Sequence, residues 1–399
     1  MKKALLMLTG GRGVPDMLVV KYLKPDIIFN LTTETGLRNA EHLKKLVEEK
    51  FHCIMEILPP IHLSSETDEE AEQEIKDACN QALQKEPEAE WIMHFTSAPK
   101  IVGIYAHDVA RDHKIPYWFL ETSGKKVVSM VTASPVNCDT LFKASVEEYM
   151  NAYGRVHERT KSEKYRELAE SLYPVAKLLI QDSIATQLLL QEVRKSTKEQ
   201  EEQKDPQLLE ILIKAQAEKL IQQLYARSIF TNIKQTKEGF HCTISDFDHR
   251  EFLKGDWLEI YVWREAKEAG FADDCQWSYK ITAKLPSNEL DLALTYNAQL
   301  LVAECKSGRR PFQVEYLYKL HSIADLVGNN YVQLIFITSI PRPKENDIYN
   351  FEMFNNFCQQ ADVRRIRVVT GDELPQIGSI LREVMRVDKT DVPVQHGVH

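Results

Sequence analysis

The first 131 residues alternate between short apolar runs rich in β-branched residues and segments with helical periodicity. The apolar runs are Ala4–Leu8, Asp26–Leu31, His52–Leu58, Trp91–Phe95, Pro116–Leu120 and Val127–Val131. The helical patterns are Pro15–Leu23, Gly36–Lys50, Glu66–Leu83 and Pro99–His113. Strands separated by helices form βαβ units, whose right-handed crossovers build a parallel sheet. This part of the chain is therefore predicted to be a doubly wound, Rossmann-like α/β domain.

The remainder of the chain divides into two regions of different character. Residues 140–228 carry helical patterns around a polar segment, 194–206, which predicts a helical connector with a linker or mobile helix end. From 229 onward, strand and helix patterns alternate and predict a small mixed sheet flanked by helices. We expect domains at 1–139, 140–228 and 229–390, followed by a flexible tail at 391–399.

Composition excludes several classes of protein. With 43% hydrophobic and 27% charged residues the chain is not disordered, and it has no apolar stretch long enough to cross a membrane. The net charge of −9 comes mostly from residues 66–90, where ten acids and two lysines form a predicted solvated helix face. The seven cysteines are scattered without a C-x-x-C pair, so we expect no disulfide framework, no structural zinc site and a cytoplasmic location.

The most informative segment for chemistry is SNELDLALTYNAQLLVAECKSGRR, residues 287–310. The chain contains five E-x-K tripeptides, but four of them lie in helical or linker patterns, where residues i and i+2 do not face each other. Only Glu304 and Lys306 follow a strand-like run, and on a strand these positions share a face. Asp291, on the neighbouring strand, can reach the same point.

Two carboxylates at close range repel each other unless a cation lies between them. Mg²⁺ or Mn²⁺ suits Asp291 and Glu304, because hard cations prefer carboxylate oxygens, and the backbone carbonyl of Cys305 can complete the shell. Lys306 would then orient a water molecule or offset charge on a phosphate. The alternative is an ordinary surface salt bridge, which the residues alone leave open.

Turns rich in glycine and hydroxyl residues follow several of the predicted parallel strands. Ligands of open α/β sheets bind at the carboxyl ends of the strands, where backbone amides, hydroxyls and lysines favour phosphate groups. The candidate contacts are Thr9, Gly10, Gly11, Arg12, Thr32, Thr96, Ser97, Lys100, Thr122, Ser123 and Gly124. Tight turns without a ligand are the alternative. A dinucleotide is disfavoured because Asp16 stands where the glycine fingerprint needs its third glycine.

Asp291 followed by Glu304-Cys305-Lys306 resembles the PD-(D/E)xK nuclease signature, with Leu290 at the position of the usual proline. The resemblance implies an acidic residue on a preceding helix, which Glu259 matches and which could join the metal ligands. It also implies a polar residue on the helix after the core strand, where Gln313, Glu315 and Lys319 are candidates. Arg309 and Arg310 could hold a nucleic-acid backbone.

The N-terminal half resembles the CARF domain, the Rossmann-like sensor of CRISPR-associated effectors. The resemblance rests on the Thr9-Gly10-Gly11 turn, the Thr96–Lys100 segment and the Thr122–Lys125 turn. Together with the C-terminal signature, residues 1–385 resemble the single-chain CARF nucleases of type III CRISPR systems. This implies a homodimer, activation by a cyclic oligoadenylate, of which the tetra-adenylate is favoured, and metal-dependent cleavage of DNA, RNA or both.

Two other functions stay open at this point. The chain could be a non-catalytic regulator that senses a nucleotide and only binds nucleic acid. It could also be a nucleotide-dependent oxidoreductase, which the broken glycine fingerprint disfavours.

Overall fold

The structure, a computed structural model, describes residues 1–61, 68–121, 126–128, 136–158, 165–203, 208–282, 288–328 and 331–387. Thr122, Ser123 and Gly124, predicted to contact a ligand, lie outside these described residues. The predicted flexible tail at 391–399 also lies outside them.

The N-terminal part is a six-stranded sheet with helices on both faces. Its strands are β1 (Lys3–Thr9), β2 (Ile27–Thr32), β3 (Ile54–Ile57), β4 (Glu90–His94), β5 (Tyr117–Glu121) and β6 (Lys126–Val128). Its helices are α1 (Gly13–Leu23), α2 (Leu37–Leu46), α3 (Asp68–Lys85) and α4 (Lys100–Asp112). The order is β3-β2-β1-β4-β5-β6, so the chain reverses direction across the sheet between β1 and β4. This confirms the Rossmann-like prediction and places the ligand crevice at the carboxyl ends of β1 and β4.

The edge strand differs from the sequence prediction. Strands β1 to β5 are parallel, but β6 pairs with β5 in the antiparallel direction. The reason is the connection length: the few residues between Glu121 and Lys126 are too short for the crossover that a parallel pair requires.

The middle of the chain is less uniformly helical than predicted. Its helices are α5 (Cys138–Leu141), α6 (Val146–Asn151), α7 (Arg166–Gln181), α8 (Ser183–Gln203) and α9 (Glu218–Tyr225), and its strands are β7 (Val156–Glu158) and β8 (Leu209–Ile213). The segment from 194 to 203, predicted as a linker or mobile helix end, continues α8. Thr197 is buried there, and its hydroxyl donates to the Val193 carbonyl one turn earlier in the same helix.

Strand β8 was predicted as part of a helix, and this prediction is wrong. It pairs with β10 (Phe240–Ile244), which also pairs with β9 (Asn232–Gln235), in a separate three-stranded antiparallel sheet. The alternating burial of Leu209, Ile211 and Ile213 has the period of two typical of a strand with one buried face. The sequence predicted that strands β9 and β10 belong to the larger C-terminal sheet. They do not join it.

The C-terminal sheet is mixed, as predicted. It contains β11 (Asp274–Thr282), β12 (Asn288–Tyr296), β13 (Gln299–Lys306), β14 (Val332–Thr338) and β15 (Ile366–Val369), in the order β15-β14-β13-β12-β11-β7. Its helices are α10 (Phe247–Glu251), α11 (Trp257–Glu268), α12 (Val314–Leu326), α13 (Ile348–Val363) and α14 (Ile377–Val384). Strands β13, β14 and β15 are parallel to each other, and β11, β12 and β13 form an antiparallel meander. The short strand β7 extends the sheet from the predicted connector.

One continuous apolar core joins the two halves of the chain. Met17 of α1 and Tyr149 of α6 belong to the same cluster of buried side chains as Leu300 of β13 and Phe336 of β14. Burial of this size couples the packing of the N-terminal domain to that of the C-terminal sheet. The division into three domains stays a prediction, but the two sheets share a core.

All seven cysteines are free thiols, and burial raises the pKa of six of them, for Cys79 to about 12. Within the described residues, the helices are too short or too polar to serve as a membrane span.

Candidate active site and sensor cleft

Strand β13 places its two charged residues on a single face of the C-terminal sheet. Leu300 and Val302 pack in the core shared with α12, whereas Leu301, Ala303 and Cys305 pack in the core shared with α11. Since side chains alternate along a strand, Glu304 and Lys306 continue the α12 face. The strand is apolar on both faces over most of its length and becomes charged at its carboxyl end.

Asp291 reaches the end of β13 from the neighbouring strand β12. Its Oδ2 atom accepts a hydrogen bond from the backbone N–H of Cys305 at 2.6 Å. Opposite Asp291 lies Ser278, a non-glycine residue with a φ of 51°, between the pairs Trp277–Leu292 and Tyr279–Leu290. At this irregular position, the apolar side chains of β11 and β12 switch from one face of the sheet to the other.

The side chains converge on the ammonium group of Lys306. Its Nζ atom lies 2.5 Å from Oε1 of Glu304, 3.1 Å from the carbonyl oxygen of Cys305 and 3.5 Å from Oδ2 of Asp291. Three oxygen atoms from two strands therefore surround one point that already holds a positive charge. The predicted grouping of Asp291, Glu304, Cys305 and Lys306 is present in the structure.

Both carboxylates of this cluster are buried. Asp291 is 7% exposed and Glu304 is 2% exposed. Burial, reinforced by the negative charge of Glu304, raises the pKa of Asp291 to about 6. Burial lowers the pKa of Lys306, but the charges of Asp291 and Glu304 outweigh it and the net pKa of the ammonium is raised. Lys306 alone therefore does not offset the negative charge of the two carboxylates at neutral pH.

Helix α12 supplies a second lysine to Glu304. The Nζ atom of Lys319 donates to Oε2 of Glu304 at 2.6 Å, so each oxygen of this carboxylate holds one ammonium group. One turn earlier, the ring of Tyr316 lies under the Lys306 ammonium, 5.0 Å from the ring centroid. Of the three candidate residues in this region, Lys319 contacts the cluster, whereas Gln313 and Glu315 form no hydrogen bond or ion pair with it in the described part of the chain.

Glu259 lies on α11, the helix that covers the opposite face of the sheet. Its Oε2 atom accepts a hydrogen bond from the indole N–H of Trp277 at 2.8 Å, and its charge contributes to the raised pKa of the Cys305 thiol. Among the described residues, no three His, Cys, Asp or Glu side chains come together as a metal site. The membership of Glu259 in the metal shell therefore stays a prediction.

The donor set fits a divalent cation of the hard class. Mg²⁺ and Mn²⁺ take carboxylate and carbonyl oxygens and retain several waters, so two carboxylates and one carbonyl suffice. The position of the Lys306 ammonium demonstrates that these oxygens can share a cation. Asp291, Glu304 and the Cys305 carbonyl are the groups that would hold the ion.

A connector helix contacts the end of the strand that carries the cluster. Arg194 of α8 donates from Nη2 to the Ser307 hydroxyl at 2.7 Å, and from Nε and Nη2 to the Lys254 carbonyl at 3.1 Å. Burial lowers the pKa of this guanidinium. Ser307 directly follows Lys306, so α8 is fixed to the chain one residue from the cluster.

In the N-terminal sheet, the turn after β1 packs closely on the turn after β4. A Cβ atom on Gly10 would lie 2.0 Å from the Ser97 carbonyl oxygen, so only glycine fits there. The Ser97 hydroxyl lies 2.6 Å from both carboxylate oxygens of Asp16, and Nε2 of His94 lies 3.0 Å from Oδ1 of the same carboxylate. Asp16 thus stands in place of the third glycine of a dinucleotide fingerprint and forms a buried cross-link between α1 and the end of β4.

A cleft of about 740 Å³ opens above these turns. Predicted contact residues in its lining are Gly11, Arg12, Thr96, Ser97 and Lys100. The remaining lining includes the aromatic side chains of Phe95, His107 and Phe119, which sequence reasoning missed. The sequence signal for Phe95 was its position directly after β4, whereas Phe119 lies in the middle of β5 and carried no such signal.

Two predicted contact residues lie beneath this cleft. Thr9 accepts a hydrogen bond from Asn30 Nδ2 at 2.6 Å, and Thr32 donates to the Thr9 carbonyl at 2.8 Å. Both threonines are buried. In this conformation they support the turn, and their direct contact with a ligand stays a prediction, as do the assignments of Gly10 and Ser97.

The C-terminal cluster has a counterpart among known protein families. Residues 246–388 match the family model of the Card1-like endonuclease domain. The match includes Glu259, Asp291, Glu304 and Lys306, so the cluster lies within the part of the chain that is similar to endonucleases. It confirms the nuclease resemblance that the Asp291, Glu304 and Lys306 pattern predicted.

Two solved structures share the fold over nearly the whole chain. Protein VC1899 from Vibrio cholerae has a TM-score of 0.77 at 16% identity, covering 96% of this chain and 98% of its own. Can2 from Sulfobacillus thermosulfidooxidans, solved in complex with cyclic tetra-adenylate, has a TM-score of 0.71 at 16% identity and the same two coverages. No curated protein sequence matches the chain. The predicted arrangement of an N-terminal Rossmann-like sheet and a C-terminal mixed sheet is therefore confirmed at the level of fold, and the C-terminal sheet lies in the part of the chain that matches the endonuclease domain.

Within the endonuclease domain, the structure shows which residues contact the carboxylate cluster, a distinction that the sequence did not make. Lys319 was one of three polar candidates on the helix after the core strand, and only the helix packing showed that it points at Glu304. Arg194 lies more than 100 residues before Ser307 and carries no motif, so no sequence signal could have linked it to the cluster.

Proposed function

We propose that this chain is a cyclic oligoadenylate-activated, divalent-metal-dependent endonuclease that cleaves DNA, RNA or both in type III CRISPR defence. The observation that carries the proposal is the convergence of Asp291, Glu304 and the Cys305 carbonyl on the Lys306 ammonium. The match of residues 246–388 to an endonuclease domain supports it.

In this proposal, Asp291, Glu304 and the Cys305 carbonyl hold Mg²⁺ or Mn²⁺, with Glu259 assisting from α11. The bound ion would supply Lewis-acid stabilisation of charge on the scissile phosphate. Because the Lys306 ammonium lies among the same oxygens, it would give up these partners to a bound ion and would be free to orient a water molecule or the phosphate. Lys319 keeps its hydrogen bond to Oε2 of Glu304 and fixes the orientation of that carboxylate.

The activator would bind in the cleft above β1 and β4. Gly11 and Arg12 from one turn and Thr96, Ser97 and Lys100 from the other suit phosphate groups, and Phe95 and Phe119 suit bases. Can2, which shares the fold, was solved with cyclic tetra-adenylate, and this favours the tetra-adenylate ring here. A ring with two-fold symmetry is recognised best by two copies of one site, so we propose a cytoplasmic homodimer.

The test is a cleavage assay on the purified full-length chain. Single-stranded DNA, duplex DNA and RNA are each incubated with Mg²⁺ or Mn²⁺, with and without cyclic tetra- or hexa-adenylate. We expect cleavage that requires both the metal and one ring, and a loss of about 100- to 1,000-fold in rate in Glu304→Gln. Glu48→Gln is the matched control, because Glu48 belongs to an E-x-K tripeptide on a helix, pairs with Lys44 and is exposed.

Two outcomes would contradict the proposal in different ways. Cleavage at the normal rate in Glu304→Gln would remove the catalytic assignment. Tight ring binding without cleavage of any substrate would favour the non-catalytic nucleotide-sensing regulator instead.

A further inference from the structure

A second cleft, of about 440 Å³, lies in the C-terminal domain away from the carboxylate cluster. It is lined at the amino-terminal ends of β13 and β14 by Gln299, Tyr331 and Gln333, and on its other sides by His321, Arg364, Arg365 and Arg386. The lining contains no acidic residue. Three arginines around one small cleft create a positive potential that attracts anions.

The arginines of this cleft are not neutralised by the surrounding chain. Arg365 and Arg386 are exposed, and no carboxylate in the part of the chain that the structure describes forms an ion pair with either. Arg364 is held in place, because its guanidinium lies 4.4 Å from the centroid of the Tyr318 ring and donates to the Gln360 carbonyl at 2.8 Å. The cleft therefore offers free guanidinium donors beside an anchored one, an arrangement that suits phosphate oxygens.

The cleft is remote from the carboxylate cluster. In the parallel pairing of β13 with β14, Leu300 lies beside Val332 at the cleft end and Lys306 lies beside Thr338 at the cluster end. Six residues of strand separate the two ends, which at about 3.3 Å per residue is about 20 Å. A phosphate in the cleft is therefore not the one that Asp291, Glu304 and Lys306 would cleave.

The cleft is instead connected to the sensor. The hydroxyl of Tyr331, a lining residue, accepts a hydrogen bond from Nη1 of Arg12 at 2.8 Å, and the Arg12 guanidinium lies 5.1 Å from the centroid of the same ring. Arg12 in turn lines the sensor cleft. The contact between Arg12 and Tyr331 thus connects the two clefts. It joins the turn after β1 directly to the residue before β14.

We propose that Arg365 and Arg386 bind a phosphodiester group of the ligand that occupies the sensor cleft, so that the C-terminal domain completes the activator site. This inference rests on the proposed function, because it assumes that an oligonucleotide activator binds at the sensor. The ligand would then contact both domains at once. Contacts that the ligand makes in only one arrangement of β13 and β14 would favour that arrangement. A ligand shifts a conformational equilibrium by binding one conformation more tightly than the other.

The test measures binding without cleavage. Full-length wild type, the double variant Arg365→Gln/Arg386→Gln and the control Arg227→Gln are titrated with cyclic tetra-adenylate and cyclic hexa-adenylate by calorimetry in chelator. Arg227 is an exposed arginine after α9 that lines neither cleft. We expect the double variant to bind the active ring about tenfold or more weakly, with a shallower dependence on salt, and the control to match wild type. Melting curves check that all three are folded.

A parallel titration with fluorescently labelled single-stranded DNA and RNA separates the activator from the substrate. Unchanged ring affinity in the double variant overturns the inference, and so does a loss confined to DNA or RNA, which would make the cleft a substrate-docking site. If wild type binds neither ring, the proposed function fails together with the inference. If wild type binds a ring and is activated by it while the double variant behaves identically, the inference alone fails.

Discussion

Lys319 donates a hydrogen bond to Oε2 of Glu304 at 2.6 Å, while the other oxygen of the same carboxylate holds Lys306. A nearly fully buried carboxylate therefore has one ammonium group on each oxygen, one from its own strand and one from the following helix. Lys306 lies among the oxygens that would bind a metal, whereas Lys319 does not. Substitutions of the two lysines are therefore expected to have different effects.

Lys319→Met should destabilise the metal-free protein. Glu304 would keep only one cationic partner in a buried position, so we expect the free energy of unfolding to fall by about 1–3 kcal/mol. Adding Mn²⁺ should reduce the difference from wild type, because the ion would stabilise the same carboxylate. Denaturant unfolding with chelator and with Mn²⁺ measures both effects.

Lys177→Met is the control for that measurement. Lys177 also lies near two carboxylates, Glu265 at 3.7 Å and Glu268 at 3.5 Å, but its side chain is 45% exposed. An exposed ion pair contributes about 0–1 kcal/mol. If the two substitutions lower the free energy of unfolding equally, the burial of Glu304 does not account for the contribution of Lys319 to stability.

Lys306→Met should separate metal binding from catalysis. The ammonium of Lys306 lies among the three oxygens that would hold the ion, so its removal takes away a competing cation. We expect Mn²⁺ to bind as tightly as in wild type or more tightly, measured by calorimetry. The cleavage rate should nevertheless fall by about 100- to 1,000-fold, since a charge that acts on the phosphate or water is lost. Markedly weaker Mn²⁺ binding would mean that Lys306 supports the metal ligands rather than competing with an ion.

The raised pKa of Asp291 predicts a specific dependence of stability on pH. Because the pKa is about 6 in the folded chain against an ordinary value of 3.8, the folded state holds this proton more tightly. The resulting stabilisation is complete below about pH 4 and is lost as the pH rises through about 6. This difference in pKa corresponds to about 3 kcal/mol at most.

Asp291→Asn removes this titrating group. In chelator, the free energy of unfolding of wild type relative to Asp291→Asn should decrease between pH 4 and pH 7. A difference that stays constant across this range, or rises, would contradict the raised pKa. Denaturant titrations at a series of pH values measure it.

Gly10→Ala and Gly11→Ala form a matched pair of substitutions in the turn after β1. A Cβ on Gly10 would meet the Ser97 carbonyl oxygen at 2.0 Å, whereas a Cβ on Gly11 has no atom within 4 Å. We expect Gly10→Ala to lower the free energy of unfolding by about 1–3 kcal/mol or more, because the turns after β1 and β4 must separate. Gly11→Ala should change it by less than about 0.5 kcal/mol. Similar melting temperatures for the two variants would mean that the turns are not in close contact in solution.

Short-range patterns predicted most of the fold and the centre of the site. Alternation of strand and helix gave the Rossmann-like sheet, and the period of two along Leu300 to Lys306 put Glu304 and Lys306 on one face. Where the patterns were ambiguous, the predictions were wrong or left open. The apolar positions of Leu209, Ile211 and Ile213 predicted helix but form a strand. The polar run that begins at 194 predicted a linker or a mobile helix end, and as far as 203 it is the end of a helix.

The sequence by itself determined which side chains can do chemistry and which of them share a strand, because periodicity acts over a few residues. Only the tertiary structure decided that Lys319 reaches Glu304, that Arg194 reaches Ser307 and that Arg12 contacts Tyr331. These contacts join residues of different elements, 15 to 319 residues apart in the chain, and they depend on how helices pack on sheets and how the two halves share one core. No local pattern records such packing, since it follows from the burial of apolar surface summed over the whole chain.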